Sequence, residues 1–230
     1  MEKPGKIYLA DQRGLIENSS IRRYCTFNFE SYFNEHRTAF ENLFICNDDS
    51  IAAGKLNFYL AKQNSLHLFI PITGGIDIVA KNKEFSVETG QVQLLSLEKG
   101  EVLEISNPYQ NDVVNYIHLG MLNDDFIFFK DQQFSFDFDK NPNKLIDIIS
   151  GYKFPFKLSA GIFAGREAVI YNLLEKDNFF YAFVVDGAFE IEGRLMHGRD
   201  GLALWATENI EIEALSNNAI VVTLELFPLI

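Results

Sequence analysis

From residue 58 to residue 108 the chain alternates short apolar runs with turns. Apolar segments at 66–73, 76–80, 92–97 and 102–105 are separated by Gly74-Gly75, Lys81-Asn82-Lys83, Thr89-Gly90 and Lys99-Gly100. Runs this short, closed by glycine and small polar residues, predict strands of a sandwich or barrel rather than strands alternating with helices. Residues 113–121 add one more alternating run. From Leu145 onward the same pattern resumes.

The flanks read differently. Residues 1–50 are expected to be mostly irregular. A strand signal lies at Thr26-Phe27-Asn28-Phe29, and a short apolar run at residues 43–46 is closed by Asn47-Asp48-Asp49, a turn composition. Residues 122–144 carry Asp124-Asp125, Lys130-Asp131 and Asn141-Pro142-Asn143 with interleaved phenylalanines. They predict an ordered connection, because a disordered linker is poor in aromatics.

An internal repeat sets the domain organisation. Thr73-Gly74-Gly75-Ile76-Asp77-Ile78 resembles Asp186-Gly187-Ala188-Phe189-Glu190-Ile191. Thr89-Gly90-Gln91-Val92 resembles Asp200-Gly201-Leu202-Ala203, and Val102-Leu103-Glu104-Ile105-Ser106-Asn107 resembles Ile212-Glu213-Ala214-Leu215-Ser216-Asn217. Three matches in one order at nearly constant spacing imply a duplicated β unit. The expected domains are residues 1–140, connection included, and residues 141–230.

Composition narrows the function classes. The 230 residues carry a net charge of -12, which argues against a direct nucleic-acid surface, since phosphate binding needs a basic face. Apolar residues are 47% of the chain and phenylalanine alone contributes 22, enough for a large aromatic core. The first ten residues lack the apolar core of a signal peptide, and no run reaches membrane-spanning length, so a cytoplasmic location is expected. Cys25 and Cys46 are then expected as free buried thiols, and no Cys/His cluster of zinc-site spacing occurs.

Several of these residues carry a family resemblance. Thr26-Phe27-Asn28-Phe29, Tyr32, Arg37, Phe40, Leu43 and Asn47-Asp48-Asp49 resemble a stretch of the pirins and pirin-like quercetin dioxygenases. Gly90-Gln91-Val92-Gln93 with Lys99-Gly100 and Asn107-Pro108 is similar to a second stretch, and Gly201-Leu202-Ala203-Leu204-Trp205 to a third. The resemblance implies an all-β bicupin: two tandem cupin barrels, jelly rolls of the RmlC-like type. It also implies one iron or similar metal in the N-terminal barrel, held by a His-x-His and a His-x-Glu pair. On its register those positions are Leu60, Lys62, Leu103 and Ile105, so all four ligands are missing.

The expectation is therefore a barrel with no family-type metal, no cofactor and no catalytic residue. Leu103 and Ile105 are expected to fill the interior with aliphatic side chains. Lys62 is expected either to pair with a carboxylate, to reach the barrel mouth, or to anchor a ligand. His67 and His118 read as strand residues with a satisfied hydrogen bond, while His36 and His197 fall in polar, exposed stretches. Leu60, Lys62, His67, Leu103 and Ile105 are the candidate pocket positions. The leading function is a binding or regulatory protein that engages a protein partner or a small apolar molecule, not nucleic acid directly and not a membrane. The alternative is a quercetin 2,3-dioxygenase-like oxygenase whose metal is held at a non-standard site drawing on His67, His118 and an acidic residue.

Overall fold

The computed structural model describes residues 3–123, 129–150 and 153–228. Apart from one short 3-10 turn at Ala10–Gln12, every regular element among them is a strand. Asp124-Asp125 of the connection lies outside the described residues. No helix among the described residues is long and apolar enough to cross a membrane.

The chain forms two compact units, Arg13–Ser135 and Phe136–Ile230 with Met1–Gln12. In the first, a seven-stranded sheet runs in the order Gln132–Ser135, Gln91–Leu97, Ser65–Thr73, Val114–Leu122, Leu43–Ile51, Ile21–Cys25, Gly14–Glu17. It faces a four-stranded sheet of Leu56–Leu60, Val102–Ser106, Ile76–Ala80 and Lys83–Val87. The second unit repeats this plan. Its larger sheet runs Gly5–Tyr8, Gly201–Leu204, Phe179–Asp186, Ala219–Leu226, Phe156–Phe163, Ile146–Ile149. Its smaller sheet runs Ala168–Asn172, Asn209–Ala214, Ala188–Ile191, Arg194–His197. The two-fold use of one strand order is the tandem cupin architecture expected from the repeat. Gly74 and Gly187 occupy equivalent hairpins at φ +70° and +76°, the left-handed region that favours glycine.

The larger sheet of each unit carries an extra strand at its equivalent edge. In the first unit Gln132–Ser135, from the connection, pairs with Gln91–Leu97. In the second the chain's first strand, Gly5–Tyr8, pairs with Gly201–Leu204. Covering a sheet edge satisfies a row of backbone groups that would otherwise stay open. Residues 3–12 thus belong with the second barrel, which a contiguous division at 140/141 does not capture.

The N-terminal region is more regular than its composition predicts. Strands form at Gly5–Tyr8, Gly14–Glu17, Ile21–Cys25 and Leu43–Ile51. The strand signal at residues 26–29 is displaced to Ile21–Cys25, and Phe29 keeps only an isolated bridge to Tyr32. Asn47-Asp48-Asp49 is not a turn. It lies in the middle of Leu43–Ile51, and all three side chains are buried. Strand pairing wins here because each acidic side chain meets a cation from a neighbouring segment: Arg13 for Asp48 and Arg23 for Asp49.

Each unit has its own apolar core. The first gathers Ile45, Ile51, Phe69, Ile78, Leu95, Leu103 and Ile105, among others, and the second Phe163, Phe180, Phe189, Met196, Leu204 and Ile212. Leu103 has no exposed surface. Replacing it with alanine should lower the unfolding free energy by about 2–5 kcal/mol, read from denaturant melts. A loss below about 1 kcal/mol would mean that the site collapses freely and that Leu103 is not a packed core residue.

Candidate functional site

In the first unit the residues that face the interior of the larger sheet follow from its pairing. Arg23 lies opposite Asp49, Asp49 opposite Tyr116, Asn47 opposite His118, His118 opposite Phe69, and His67 opposite Gly120. Directly opposed residues share a face, so these side chains point to one side together. A polar group thus lies inside a barrel whose interior the sequence assigns to aliphatic side chains.

Arg23 and Asp49 make a bidentate ion pair, Nε to Oδ1 at 2.8 Å and Nη2 to Oδ2 at 2.7 Å, both side chains fully buried. The guanidinium lies 4.8 Å from the Phe29 ring centroid and 3.6 Å from the Glu30 carboxylate. Burial alone would lower the Arg23 pKa, but Asp49 outweighs it and holds the guanidinium charged. Planar two-point contact is the geometry in which a buried charge pair is best satisfied.

Beside this pair runs a chain of hydrogen bonds. The Ser65 hydroxyl donates to the Gln63 carbonyl at 3.0 Å, and Ser65 Oγ lies 2.8 Å from His67 Nε2. His67 Nδ1 lies 2.8 Å from His118 Nε2. A carbonyl only accepts, which sets the direction of the chain. His67 Nε2–H donates to Ser65, His118 Nε2–H donates to His67 Nδ1, and His118 Nδ1 keeps a lone pair. That nitrogen is buried without a hydrogen-bond partner, as are both amide atoms of the adjacent Asn47. Gly120, opposite His67, is a site of close approach: a Cβ there would clash with the Ile45 side chain, its nearest atom at 2.8 Å.

Burial lowers the His67 pKa from 6.5 to about 3 and pushes His118 well below 6.5, with His67 and Arg23 adding to the effect on His118. Both rings are neutral at physiological pH. They serve as hydrogen-bonding groups, packed at 5.0 Å and 5.4 Å from the Tyr59 ring. Burial likewise pushes the Tyr59 hydroxyl and the Cys25 thiol up to about 12, so neither is a nucleophile at neutral pH.

The candidate pocket positions divide. Leu103 and Ile105 point inward and are fully buried, as expected. Leu60 and Lys62 do not: Leu60 is 53% exposed and Lys62 is exposed, while Tyr59 and Ala61 are the buried residues of that segment. The register is one residue off, which in a strand moves a side chain to the opposite face. Leu103 pairs directly with Tyr59 and Ile105 with Asn57. The inward side chains of these two segments are thus Tyr59, Ala61, Leu103 and Ile105. They offer neither imidazole nor carboxylate and do not fit a family-type iron site. Among the described residues no group of three His, Cys, Asp or Glu side chains could hold a metal ion.

Leu60 and Lys62 line something else. A cleft of about 200 Å³ opens at this end of the barrel, walled by Phe29, Phe44, Tyr59 and Leu60, with Glu30 and Lys62 among its polar residues. His67 lies under this wall, its ring 6.3 Å from Phe44 and 5.0 Å from Tyr59. The structure therefore gathers Leu60 and Lys62 at the mouth, His67 just beneath, and Leu103 and Ile105 in the packed interior. His36 and His197 are exposed and join no site.

Sequence reasoning missed the polar group of the second barrel. Glu225 has no exposed surface and accepts from Tyr171 Oη at 2.9 Å, Leu174 N at 2.6 Å and Asn178 Nδ2 at 2.6 Å. Nearby, Lys157 Nζ lies 3.0 Å from Asp147 and 5.0 Å from the Tyr171 ring centroid. A lone glutamate inside the apolar run Ala219–Leu226 was the available signal. By register, Phe180 lies opposite Glu225 and Ala182 opposite Thr223, so Phe180 and Thr223 stand where His67 and His118 stand in the first barrel.

Comparison with known proteins agrees with this architecture. Residues 155–226 match the family model described as the quercetinase C-terminal cupin domain. Among solved structures, YhhW from Escherichia coli superposes with a TM-score of 0.85 at 19% identity, covering 98% of this chain and 99% of that one. A second structure is described as bacterial pirin YhhW in complex with nickel(II), from the same organism (TM-score 0.82, 19% identity, covering 98% of this chain and 100% of that one). A quercetin 2,3-dioxygenase from Acinetobacter baumannii superposes at 0.71 with 14% identity, covering 99% of this chain and 88% of that one. No protein of curated function matches the sequence. The chain resembles the pirins in sequence over its C-terminal barrel and in fold along its whole length.

Two predictions follow from the buried polar groups. Asp49→Ala leaves Arg23 as an uncompensated charge and should cost about 3–5 kcal/mol in denaturant melts. The double exchange Arg23→Met with Asp49→Leu should recover most of that loss; equal damage from the double variant would mean that the pair is not the source. The histidines predict an acid limb. Their folded pKa values lie below the unfolded 6.5, so the native state binds fewer protons. Stability is complete above pH 6.5 and falls as pH drops toward about 3, by at most about 1.4 kcal/mol per pH unit per histidine. The double variant His67→Phe/His118→Thr, which copies Phe180 and Thr223, should flatten that limb. An unchanged slope between pH 6.5 and 3 would contradict the assignment.

Proposed function

We infer that this pirin-like bicupin acts by binding, and that the cleft at the mouth of its N-terminal barrel takes a small, flat, largely apolar molecule that carries an anionic group. The observation that carries the reading is the placement of Tyr59. Tyr59, and not Leu60, is the inward residue of its strand, and its ring, with Phe29, Phe44 and Leu60, forms the wall of the cleft. Aromatic walls supply contact area for a planar ligand, and a few polar groups fix its orientation. Lys62 at the rim is the cation for an anionic substituent, while Glu30 disfavours one placed beside it. At about 200 Å³ the cleft is smaller than the ~300–1,000 Å³ typical of drug-sized ligands, which favours a molecule of one or two rings. Catalysis by a bound metal is not part of this reading, because Tyr59, Ala61, Leu103 and Ile105 offer none of the expected donors. A cytoplasmic location fits the two free buried thiols.

The alternative, a quercetinase-like oxygenase with a non-standard metal site, has His67 and His118 in its favour, now found side by side. Their facing nitrogens already share a hydrogen bond, and no third donor joins them among the described residues.

Protein purified without chelators should carry far less than one equivalent of iron, nickel, copper or manganese by elemental analysis, and should not cleave a flavonol. Titration calorimetry with small aromatic carboxylates should give saturable binding that weakens by about tenfold in Lys62→Ala, the loss of one ion-pairing contact. Stoichiometric metal with flavonol turnover would replace this reading by the oxygenase.

A further inference from the structure

The strand Leu56–Leu60 is an edge of its four-stranded sheet, paired only with Val102–Ser106. Which of its backbone groups are used follows from the bonds that flank the pairing. Ala61 donates to Glu101 and accepts from Gly100, and Lys55 accepts from Asn107. With Tyr59 opposite Leu103 and Asn57 opposite Ile105, residues 57, 59 and 61 direct their N–H and C=O groups, and Lys55 its C=O, to the neighbouring strand, while the Lys55 N–H donates to Ala52. Those of Leu56, Phe58 and Leu60 point out of the sheet, and no hydrogen bond to them occurs among the described residues.

The side chains of the same three residues are apolar and exposed: Leu56 41%, Phe58 56% and Leu60 53%. Val102, opposite Leu60, and Val79, one strand further, extend the patch at 52% and 38%. The duplicated barrel supplies a control. On its equivalent edge, Ala168–Asn172, the outward residues are Ala168, Ile170 and Asn172, and they are backed by Glu213, Glu211 and Asn209. Both edges have acidic residues behind them, Glu104 opposite Phe58 in the first barrel and Glu211 and Glu213 in the second, but only Leu56–Leu60 presents three large apolar side chains of its own. Proteins usually blunt open edges with charge, proline or a covering segment. Leu56–Leu60 has none within it and only Lys55 and Lys62 beside it.

We propose that this edge is a homodimer interface, in which Leu56–Leu60 pairs antiparallel with the same strand of a second copy and joins two four-stranded sheets into one. Self-complementarity selects the occupant. Leu56-Asn57-Phe58-Tyr59-Leu60 has the same order of outward residues, Leu–Phe–Leu, in both directions. A two-fold axis at Phe58 places Phe58 against its counterpart and each Leu56 against a Leu60. These are the residues with free backbone groups, so they form hydrogen-bonded pairs, up to about six new main-chain bonds in all. In this register Lys62 faces Gly54 and Lys55 faces Ala61, so no like charges lie opposite one another. A peptide of a different protein would need the same alternating pattern, and nothing in the acidic chain selects one. Leu60 belongs both to this edge and to the wall of the cleft, so the test reads association of the chain alone, with no ligand present.

The test is the solution mass of the full chain by light scattering across a concentration series. The expected result is concentration-dependent association to twice the 26.3 kDa chain mass, strengthened as added salt screens the net charge of -12 on each copy. Phe58→Lys sets two ammonium groups face to face and should weaken association by about tenfold or more, as should Leu56→Lys. Both side chains are exposed, so melting temperatures should stay near wild type. Ile170→Lys, on the equivalent edge of the other barrel, should leave the mass unchanged. Hydrogen exchange gives a second readout: the amides of Leu56, Phe58 and Leu60 should gain protection as concentration rises, and Phe58→Lys should abolish the gain. A wild-type chain that stays at its single-chain mass at every accessible concentration overturns the proposal, even if a foreign peptide binds the edge. A dimer that survives both lysine variants overturns it too.

Discussion

A carboxylate with no exposed surface can be kept inside a β-barrel only if a cation meets it there, and in the N-terminal barrel Arg23 meets Asp49. Much of the arrangement of that barrel follows from this requirement. The pair bridges neighbouring strands, Ile21–Cys25 and Leu43–Ile51, and fixes their register. A slip of one residue would turn both charges to the other face and leave Ile21 and Ile51 misplaced as well. Tyr116 lies beside Asp49 and Phe29 packs on the guanidinium, so the ion pair also positions two of the large rings around it.

The histidine pair depends on the same environment. Burial keeps His67 and His118 neutral, with the nearby Arg23 charge adding to the effect on His118, and the Ser65 bond to the Gln63 carbonyl makes their hydrogen-bond direction unique. The second barrel solves the equivalent problem with a different distribution. Phe180 and Thr223 replace the imidazoles, and the buried carboxyl group appears instead as Glu225, which accepts from three donors. One backbone plan therefore holds two polar interiors of different chemistry. This is why fold likeness to metal-binding cupins leaves the function of either barrel open.

The duplication and the order of strands were legible in the sequence because they rest on local signals: glycine at left-handed hairpin positions such as Gly74 and Gly187, and apolar runs between them. What was not legible depended on distant partners. Asn47-Asp48-Asp49 reads as a turn until Arg13 and Arg23, 35 and 26 residues away, are seen to neutralise it. The face of Leu56–Leu60 was unreadable for another reason. Apolar residues occur on both of its sides, so alternation carries no information about which side is buried, and Leu60 and Lys62 were assigned to the wrong one. His67 and His118 were each identifiable as buried strand histidines. Their mutual contact spans 51 residues and needed the pairing of Ser65–Thr73 with Val114–Leu122 to bring it about.

The distribution of rare side chains gives this molecule a useful asymmetry. Both cysteines lie in the first unit, buried and unbridged, and the single tryptophan, Trp205, lies in the second. An alkylating reagent reaches Cys25 only when the first barrel opens, while indole emission reports on the surroundings of Trp205 alone. The rate of thiol labelling and the fluorescence transition are thus separate clocks for two copies of one topology within a single chain. They allow the opening of a barrel built around an ion pair and of one built around Glu225 and its donors to be timed against each other without any engineered probe.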